Sequence, residues 1–456
     1  MNRTAGRAGV FTFFVDQFDI YLPVLVLAPV AAYFQPAGLS PATTSVLATA
    51  VFAATLVTRP VGAALFGVLA DTAGRKRATL LAVAGSGTVT LLIAALPGAA
   101  TIGVGSIVAL IVLRAVNGVF LGGAYTAAIP LALEWSPPRR RGLLAGSLLA
   151  GSPAAYAVLA ALTLLLVEVM PVAGPDSAYA QWGWRIPFLI GGLLTVPVFL
   201  HVHRSVEEPA TARSRGRSPL VELLVGPHRT LLARAFVLMT GVWLANNMTS
   251  AVLPGLLRSH VGLSPAQTSV AMMVESLALV VAFPLFGALS QRLGRRRFYL
   301  LYGPGIAVLG GGAYAAVLTF SGSLGGTVLL TALVGLTTIG TFGPVAAYLT
   351  ELFPAPIRAT GFGVGYSLAL VVPAFYAFYL AGLGAFLPAP YAPIALLAVA
   401  GALVTAGAAL GPETRDAVLN VRHHADAEPS EVADVSEPRG GDASGVENET
   451  PPRSTP

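Results

Sequence analysis

Long apolar stretches separated by short polar breaks run along nearly the whole chain. The stretches are too long for strands and too evenly apolar for the one-sided helices of a soluble core. Each covers roughly 20 residues, the length a helix needs to cross a bilayer. Twelve are legible, at about 9–33, 44–69, 78–97, 102–133, 142–170, 186–203, 231–257, 265–289, 298–318, 325–351, 359–383 and 388–410. The pattern predicts an all-α membrane protein with twelve transmembrane helices. Gly and Pro recur inside the stretches, which membrane helices tolerate because neighbours re-satisfy the freed backbone groups.

Composition strengthens this picture. Hydrophobic residues make up 55% of the 456 residues and charged residues 11%, with a mean hydropathy of +0.75. A soluble domain is about a quarter charged. The charges also fall unevenly. Arg75 to Arg77, Arg139 to Arg141, the Arg-rich stretch 204–229, the run 292–297 and Arg358 lie on alternate loops, whereas the other loops carry Arg185 and Arg258. By the positive-inside rule the basic loops and both termini are expected to be cytoplasmic. The net charge of +6 follows from this bias and gives no reason to expect a nucleic-acid partner. The first apolar stretch carries Asp16 and Asp19 and lacks a short core followed by small residues, so it reads as a span rather than a leader. Cys is absent, which removes disulfides and thiolate metal sites. From 416 onward nine acidic residues face three Arg among Pro, Ser and Gly, a composition expected to stay disordered.

The chain repeats itself. Gly67-Val-Leu-Ala-Asp71-Thr-Ala-Gly74-Arg75-Lys76-Arg77 is echoed by Gly287-Ala-Leu-Ser-Gln291-Arg-Leu-Gly294-Arg295-Arg296-Arg297. Glu134-Trp-Ser-Pro137 with Arg141 is echoed by Glu351-Leu-Phe-Pro354 with Arg358, each Arg seven residues after its Glu. The organisation expected is a six-helix half at 1–203, a cytoplasmic linker at 204–230, a second half at 231–415 and the tail at 416–456. The first motif resembles the signature loop of the major facilitator superfamily, which joins its helices 2 and 3. That resemblance implies two pseudo-symmetric halves about a central site. It also implies a gate at the cytoplasmic loops, here Gly67, Asp71, Gly74, Arg75, Arg77, Glu134, Arg141, Glu351 and Arg358. Gly67 and Gly74 suit close helix approach and a tight turn, and Asp71 suits a helix N-terminus or an Arg. Gln291 stands where the second copy would need an acid, so a weaker latch is expected there.

Ionisable residues at membrane depth are costly and mark candidate sites. Asp16 and Asp19 are three residues apart, on one helix face, and their repulsion favours proton uptake by one of them. The run Val15-Asp16-Gln17-Phe18-Asp19-Ile20-Tyr21 is similar to the start of span 1 in metabolite:proton symporters. Arg59-Pro60-Val-Gly62 and Gln181-Trp182-Gly183-Trp184-Arg185-Ile-Pro187-Phe188 resemble further steps of that family. Arg59 is expected to pair with Asp16 or Asp19, or to hold a substrate carboxylate bidentately. Arg114 and Asn117 resemble the span 4 motif tied to proton coupling in the superfamily, although Ala124 replaces an acid often found there. Glu275 is an isolated acid in span 8, either a proton carrier or a seam residue. Proton coupling is thus expected among Asp19, Asp16, Glu275 and Arg114, and substrate contact among Arg59, Arg114, Asn117, Tyr21, Asn246 and Asn247.

No Gly-Lys-Ser/Thr phosphate loop, His-Glu-x-x-His or Gly-x-Ser-x-Gly motif is present, which speaks against an ATP-driven pump or an enzyme. His423 and His424 stand in the acidic tail. The expectation is a monomeric, multi-pass carrier of the inner membrane, without cofactor or metal, that moves a small organic metabolite, a carboxylic acid above others, together with protons. A proton-driven efflux antiporter and a non-transporting sensor of the same fold are the rival readings.

Overall fold

The computed structural model describes residues 3–36, 38–172, 174–208, 218–320 and 322–419. Pro209, the rest of the acidic tail and the pair His423–His424 lie outside the described residues. Twelve helical segments are long and apolar enough to span a membrane. They are α1 (Gly6–Leu27), α2 (Ala53–Ala73), α3 (Arg75–Ala94), α4 (Gly105–Glu134), α5 (Pro138–Val169), α6 (Tyr179–Ser205), α7 (Arg229–Ser259), α8 (Pro265–Leu293), α9 (Arg295–Thr319), α10 (Leu324–Leu352), α11 (Ala355–Leu383) and α12 (Ala389–Leu410). Large apolar side chains such as Val57, Leu165, Val308 and Phe378 are exposed on their outer faces, as a lipid-facing surface requires.

The helix starts explain why the repeat folds alike twice. Gly38-Leu-Ser-Pro-Ala and Gly262-Leu-Ser-Pro-Ala are identical pentapeptides that open the helices carrying α2 and α8, Pro41–Ala73 and Pro265–Leu293. Both glycines take a positive φ, 86° and 82°. Ser40 then accepts from the Thr43 amide at 3.1 Å, and Ser264 from the Gln267 amide at 3.2 Å. Gln267 returns a bond to the Ser264 amide, completing a capping box, and Pro occupies the first helical turn in each case. At the other ends of α2 and α8, Gly74 (φ 116°) and Gly294 (φ 100°) make the turns into α3 and α9, a backbone region that favours glycine.

Within the first half α4 packs against α1, α2 and α3, and within the second α12 packs against α7 and α9. The halves meet along two seams, α2 with α11 and α5 with α8. Helices 2 and 8 hold equivalent places in the repeat, as do 5 and 11, so the two seams are the same interface seen twice. Small residues let the backbones close up. A Cβ on Gly67 would lie 2.7 Å from the Thr360 Cα, and one on Gly146 2.7 Å from the Pro284 Cα. This is the small-residue packing of membrane bundles.

Two expectations change in detail. The first apolar stretch does not continue as one α-helix to 33. Regular helix ends at Leu22, where Pro23 opens a wide turn through Leu27 and a tight turn follows over Ala28–Val30. The chain expected to be disordered from 416 stays packed to 419, where Leu419 is buried in a hydrophobic cluster drawn from both halves. The linker also holds a short helix, Pro219–Leu224, with Leu223 buried.

Candidate functional site

Asp19 sits in α1, five residues above Phe14 and three turns into the helix, and is buried. Its Oδ1 accepts from Arg114 Nη1 at 2.8 Å and from Asn117 Nδ2 at 2.8 Å. Its Oδ2 accepts from the hydroxyl of Thr90. Arg114 and Asn117 are one turn apart on α4, so both reach the same carboxylate. Asn117 also donates to Thr90 at 3.3 Å. All four residues belong to the first half. The cluster neutralises a charge pair in a place where an isolated charge would be expensive. Its carboxylate is the one ionisable group there that a proton can discharge, which would cancel the attraction holding Arg114.

Asp16 lies one turn earlier and is held differently. Its Oδ2 accepts from Gln17 at 2.9 Å and faces Arg59 Nη2 at 3.7 Å, while its buried Oδ1 has no hydrogen-bond partner. Of the two partners the sequence allowed for Arg59, the structure gives it Asp16. The Arg59 guanidinium lies over the Tyr125 ring, 4.8 Å from its centroid. The Tyr125 hydroxyl bonds to Ser367 of α11, so this pair reaches the seam between halves. From Gln17 a chain of bonds runs on through Ser152 (2.9 Å) to Tyr21 (3.0 Å). Tyr21 also packs edge-on against Tyr156.

Glu275 of α8 is buried beside Gly335 of α10. Its Oε2 accepts from Ser276 at 3.3 Å, and its Oε1 has no partner. It lies within electrostatic reach of Tyr21 and Tyr156 across the seam. The two asparagines of α7 are used otherwise. Asn247 donates to the Pro373 carbonyl at 3.0 Å, a helix-to-helix bond, and Asn246 accepts from Ser250 one turn along its own helix. These are packing bonds of the kind common in membrane helices.

At the basic-loop end the repeat closes on itself. Arg358 reaches Glu134 at 2.7 Å and Arg141 reaches Glu351 at 3.2 Å. Each half's Glu therefore holds the other half's Arg. Arg75 joins Glu134 at 3.4 Å, and Arg295 joins Glu351 at 3.0 Å. Asp71 adds what Gln291 does not. It accepts from the Ala359 and Thr360 amides (3.0 and 2.8 Å) and the Thr360 hydroxyl (2.8 Å) at the start of α11, an anion on a helix N-terminus, and pairs with Arg75 at 3.2 Å. Gln291 instead accepts from Arg295 in its own half. Arg77, placed by sequence in the gate, is exposed and takes no part in these bonds among the described residues.

Several participants escaped the sequence reading. Glu208 and Glu413 each accept from two amides at the start of an earlier helix of their own half, Arg75 and Lys76 of α3 for one and Arg295 and Arg296 of α9 for the other. Each stands just after the last helix of its half, and nothing in the sequence marks the amides it meets. Arg141 and Arg358 also donate to the Ala417 and Leu419 carbonyls (2.8 and 3.2 Å). Thr90 had no signal, being one Thr among many in apolar helices.

The fold and this arrangement define a multi-pass membrane carrier built from two similar halves. The chain belongs to the Major Facilitator Superfamily, whose model matches residues 9–368 and 235–437. Similar proteins include the inner membrane metabolite transport protein YhjE of Escherichia coli K12, 31% identical over 80% of this chain and 84% of that one. The alpha-ketoglutarate permease of the same organism is 32% identical over 78% and 81%. The citrate-proton symporter of Klebsiella pneumoniae is 29% identical over 79% and 80%. Among solved structures, the proton:xylose symporter XylE bound to 6-bromo-6-deoxy-D-glucose superposes with a TM-score of 0.71 over 93% of this chain and 98% of that one, at 14% identity, a likeness of fold. These relatives are transporters, and the chain is a transporter of this superfamily rather than an enzyme.

Proposed function

We propose that this chain carries a small carboxylate-bearing metabolite together with a proton, by alternating exposure of a site between its halves. The observation that carries the proposal is Asp19: a buried carboxylate at membrane depth, bonded by Arg114, Asn117 and Thr90 of its own half. Protonation of Asp19 removes the charge that fixes Arg114 and so changes the half's internal bonding. Arg59 at the seam is the group to meet a carboxylate, because its pairing with Asp16 is long and a guanidinium takes a carboxylate bidentately. The cross-paired Glu134–Arg358 and Glu351–Arg141 bonds and Asp71 on α11 form the gate that must open on the basic-loop side, taken as cytoplasmic from its charge. Two relatives named for citrate with protons and for alpha-ketoglutarate support a carboxylate cargo.

The test combines binding and flux. Purified protein is heated with organic acids, amino acids, betaines, sugars and lipophilic cations, since a ligand of the folded state raises the melting temperature with concentration. Compounds that stabilise are then offered to proteoliposomes under an imposed pH gradient. The proposal expects a carboxylate to stabilise the protein and to accumulate with the gradient. Stabilisation only by lipophilic cations, or binding without flux, contradicts it.

A further inference from the structure

The two seams are closed unequally at the basic-loop end. Across the α2–α11 seam Asp71 holds the start of α11, and the linker helix Pro219–Leu224 packs on α2, α7 and α11. At the α5–α8 seam Gln291 bonds within its own half, and the chain beyond α12 lies against the gate instead. Pro412 cannot continue the helix that ends at Leu410, and the residues after it turn back onto the second half. Glu413 accepts from the Arg295 amide at 2.8 Å, and the Thr414 hydroxyl donates to Glu351 Oε2 at 3.0 Å. Arg415 Nη1 donates to the Arg292 carbonyl at 3.2 Å. A tight turn follows, closed by the Ala417 amide on the Thr414 carbonyl at 3.0 Å. That turn presents the Ala417 carbonyl to Arg141 Nη1 of the first half at 2.8 Å. Leu419 then enters an apolar cluster drawn from both halves, and its carbonyl accepts from Arg358 Nη1 at 3.2 Å. These are the same two nitrogens that hold Glu351 and Glu134 across the halves.

We infer that residues 414–419 are a strap, anchored on the second half, that holds the gate shut at the α5–α8 seam. The strap must release Arg141 before the basic-loop side opens. The inference rests on the gate of the carrier proposed above and adds to it a part that lies outside the twelve spans. Thr414 and Arg415 bond to the second half alone, so the strap travels with that half. Parting the halves therefore breaks the bond from Arg141 to Ala417 along with the bond from Arg141 to Glu351. A hydrogen bond from a charged donor outweighs a neutral one, and a buried leucine is costly to uncover. The strap thus gives the α5–α8 seam a further cross-half bond where Gln291 supplies none, as Asp71 does at the α2–α11 seam.

The test reads the seam with a thiol in the purified full chain, which has no Cys of its own. Ala145 lies one turn beyond Arg141 and is buried, so Ala145→Cys is labelled when the α5–α8 seam opens. Ala180→Cys, buried at the start of α6 and away from the basic loops, reports general loosening. Two full-length variants loosen the strap. Leu419→Ala removes the buried side chain, and Ala417→Pro removes the amide that closes the turn. Each should speed labelling of Ala145→Cys about tenfold and change that of Ala180→Cys by less than about twofold. Val418→Ala, at an exposed position, should leave both rates within about twofold. If one strap variant fails to fold, the other decides the matter. Unchanged labelling of Ala145→Cys in the strap variants overturns the inference and leaves the carrier reading, which flux judges, intact. An equal rise at both thiols overturns it as well, and so does a rise in Val418→Ala as large as in Leu419→Ala.

Discussion

Asp16 and Asp19 lie three residues apart on one helix face, yet their arginines hold them in opposite ways. Asp19 meets Arg114 at 2.8 Å, and both its oxygens are bonded within one half. Asp16 meets Arg59 at 3.7 Å, keeps one oxygen free, and its arginine leans on a tyrosine bonded to the other half. A closed cluster inside one half moves as a unit with that half, and its state can be changed only by adding a proton. A loose pair on the seam senses where the other half is and what lies between. On the function proposed above, the first pair takes the proton and the second meets the solute.

The sharpest way to break this contrast is to remove each arginine. Arg114→Ala leaves Asp19 buried without its cation and should cost about 3–5 kcal/mol of stability, read as a clear fall in melting temperature. Arg59→Ala should cost less than half of that, because its bond to Asp16 is already long, but should weaken solute binding about tenfold. Equal stability losses, or unchanged binding in Arg59→Ala, contradict the division of roles.

The same contrast of tight and loose recurs at the basic-loop end, where Asp71 crosses the seam and Gln291 stays at home. The chain has no native Cys, so Ala359→Cys gives a single reporter under the gate. Asp71→Ala removes bonds to the start of α11 worth about 1–3 kcal/mol and should raise thiol labelling about tenfold. Gln291→Ala should change it by less than about twofold, since any bond it loses lies within one half. Similar rates in both variants contradict the asymmetry. The smallest effect expected is that of Thr90→Val, which deletes one of three donors to Asp19 and should cost about 1 kcal/mol. A loss as large as that of Arg114→Ala would mean that the hydroxyl, not the ion pair, holds the cluster.

Much of this was legible in the sequence because membrane helices announce themselves by length and apolarity, and because the repeat prints each corner twice. The spacing Glu134 to Arg141 and Glu351 to Arg358 marked the gate residues. It could not show that each Glu pairs with the opposite Arg, which depends on how the halves dock. Asp19, Arg114 and Asn117 stood out as polar residues in lipid, but the register that brings them together was supplied by α1 packing on α4. The bonds of Asn246 and Asn247 were hidden for the same reason: an amide in a membrane helix satisfies a neighbouring carbonyl or hydroxyl as readily as a solute. The identical Gly-Leu-Ser-Pro-Ala starts were a further sign of the repeat, 224 residues apart where the basic loops are 220 apart, because the helix they open is 33 residues long in the first half and 29 in the second.

Proton coupling at Asp19 is tested most directly with Asp19→Asn in proteoliposomes, using the panel compound that most stabilises the wild type. One proton moving down a gradient of two pH units can sustain about 100-fold accumulation. The wild type should concentrate the compound inside the vesicles. Asp19→Asn should exchange it with preloaded compound but reach no more than equal concentrations on the two sides. Accumulation by Asp19→Asn equal to that of the wild type would contradict the assignment of the proton to this carboxylate.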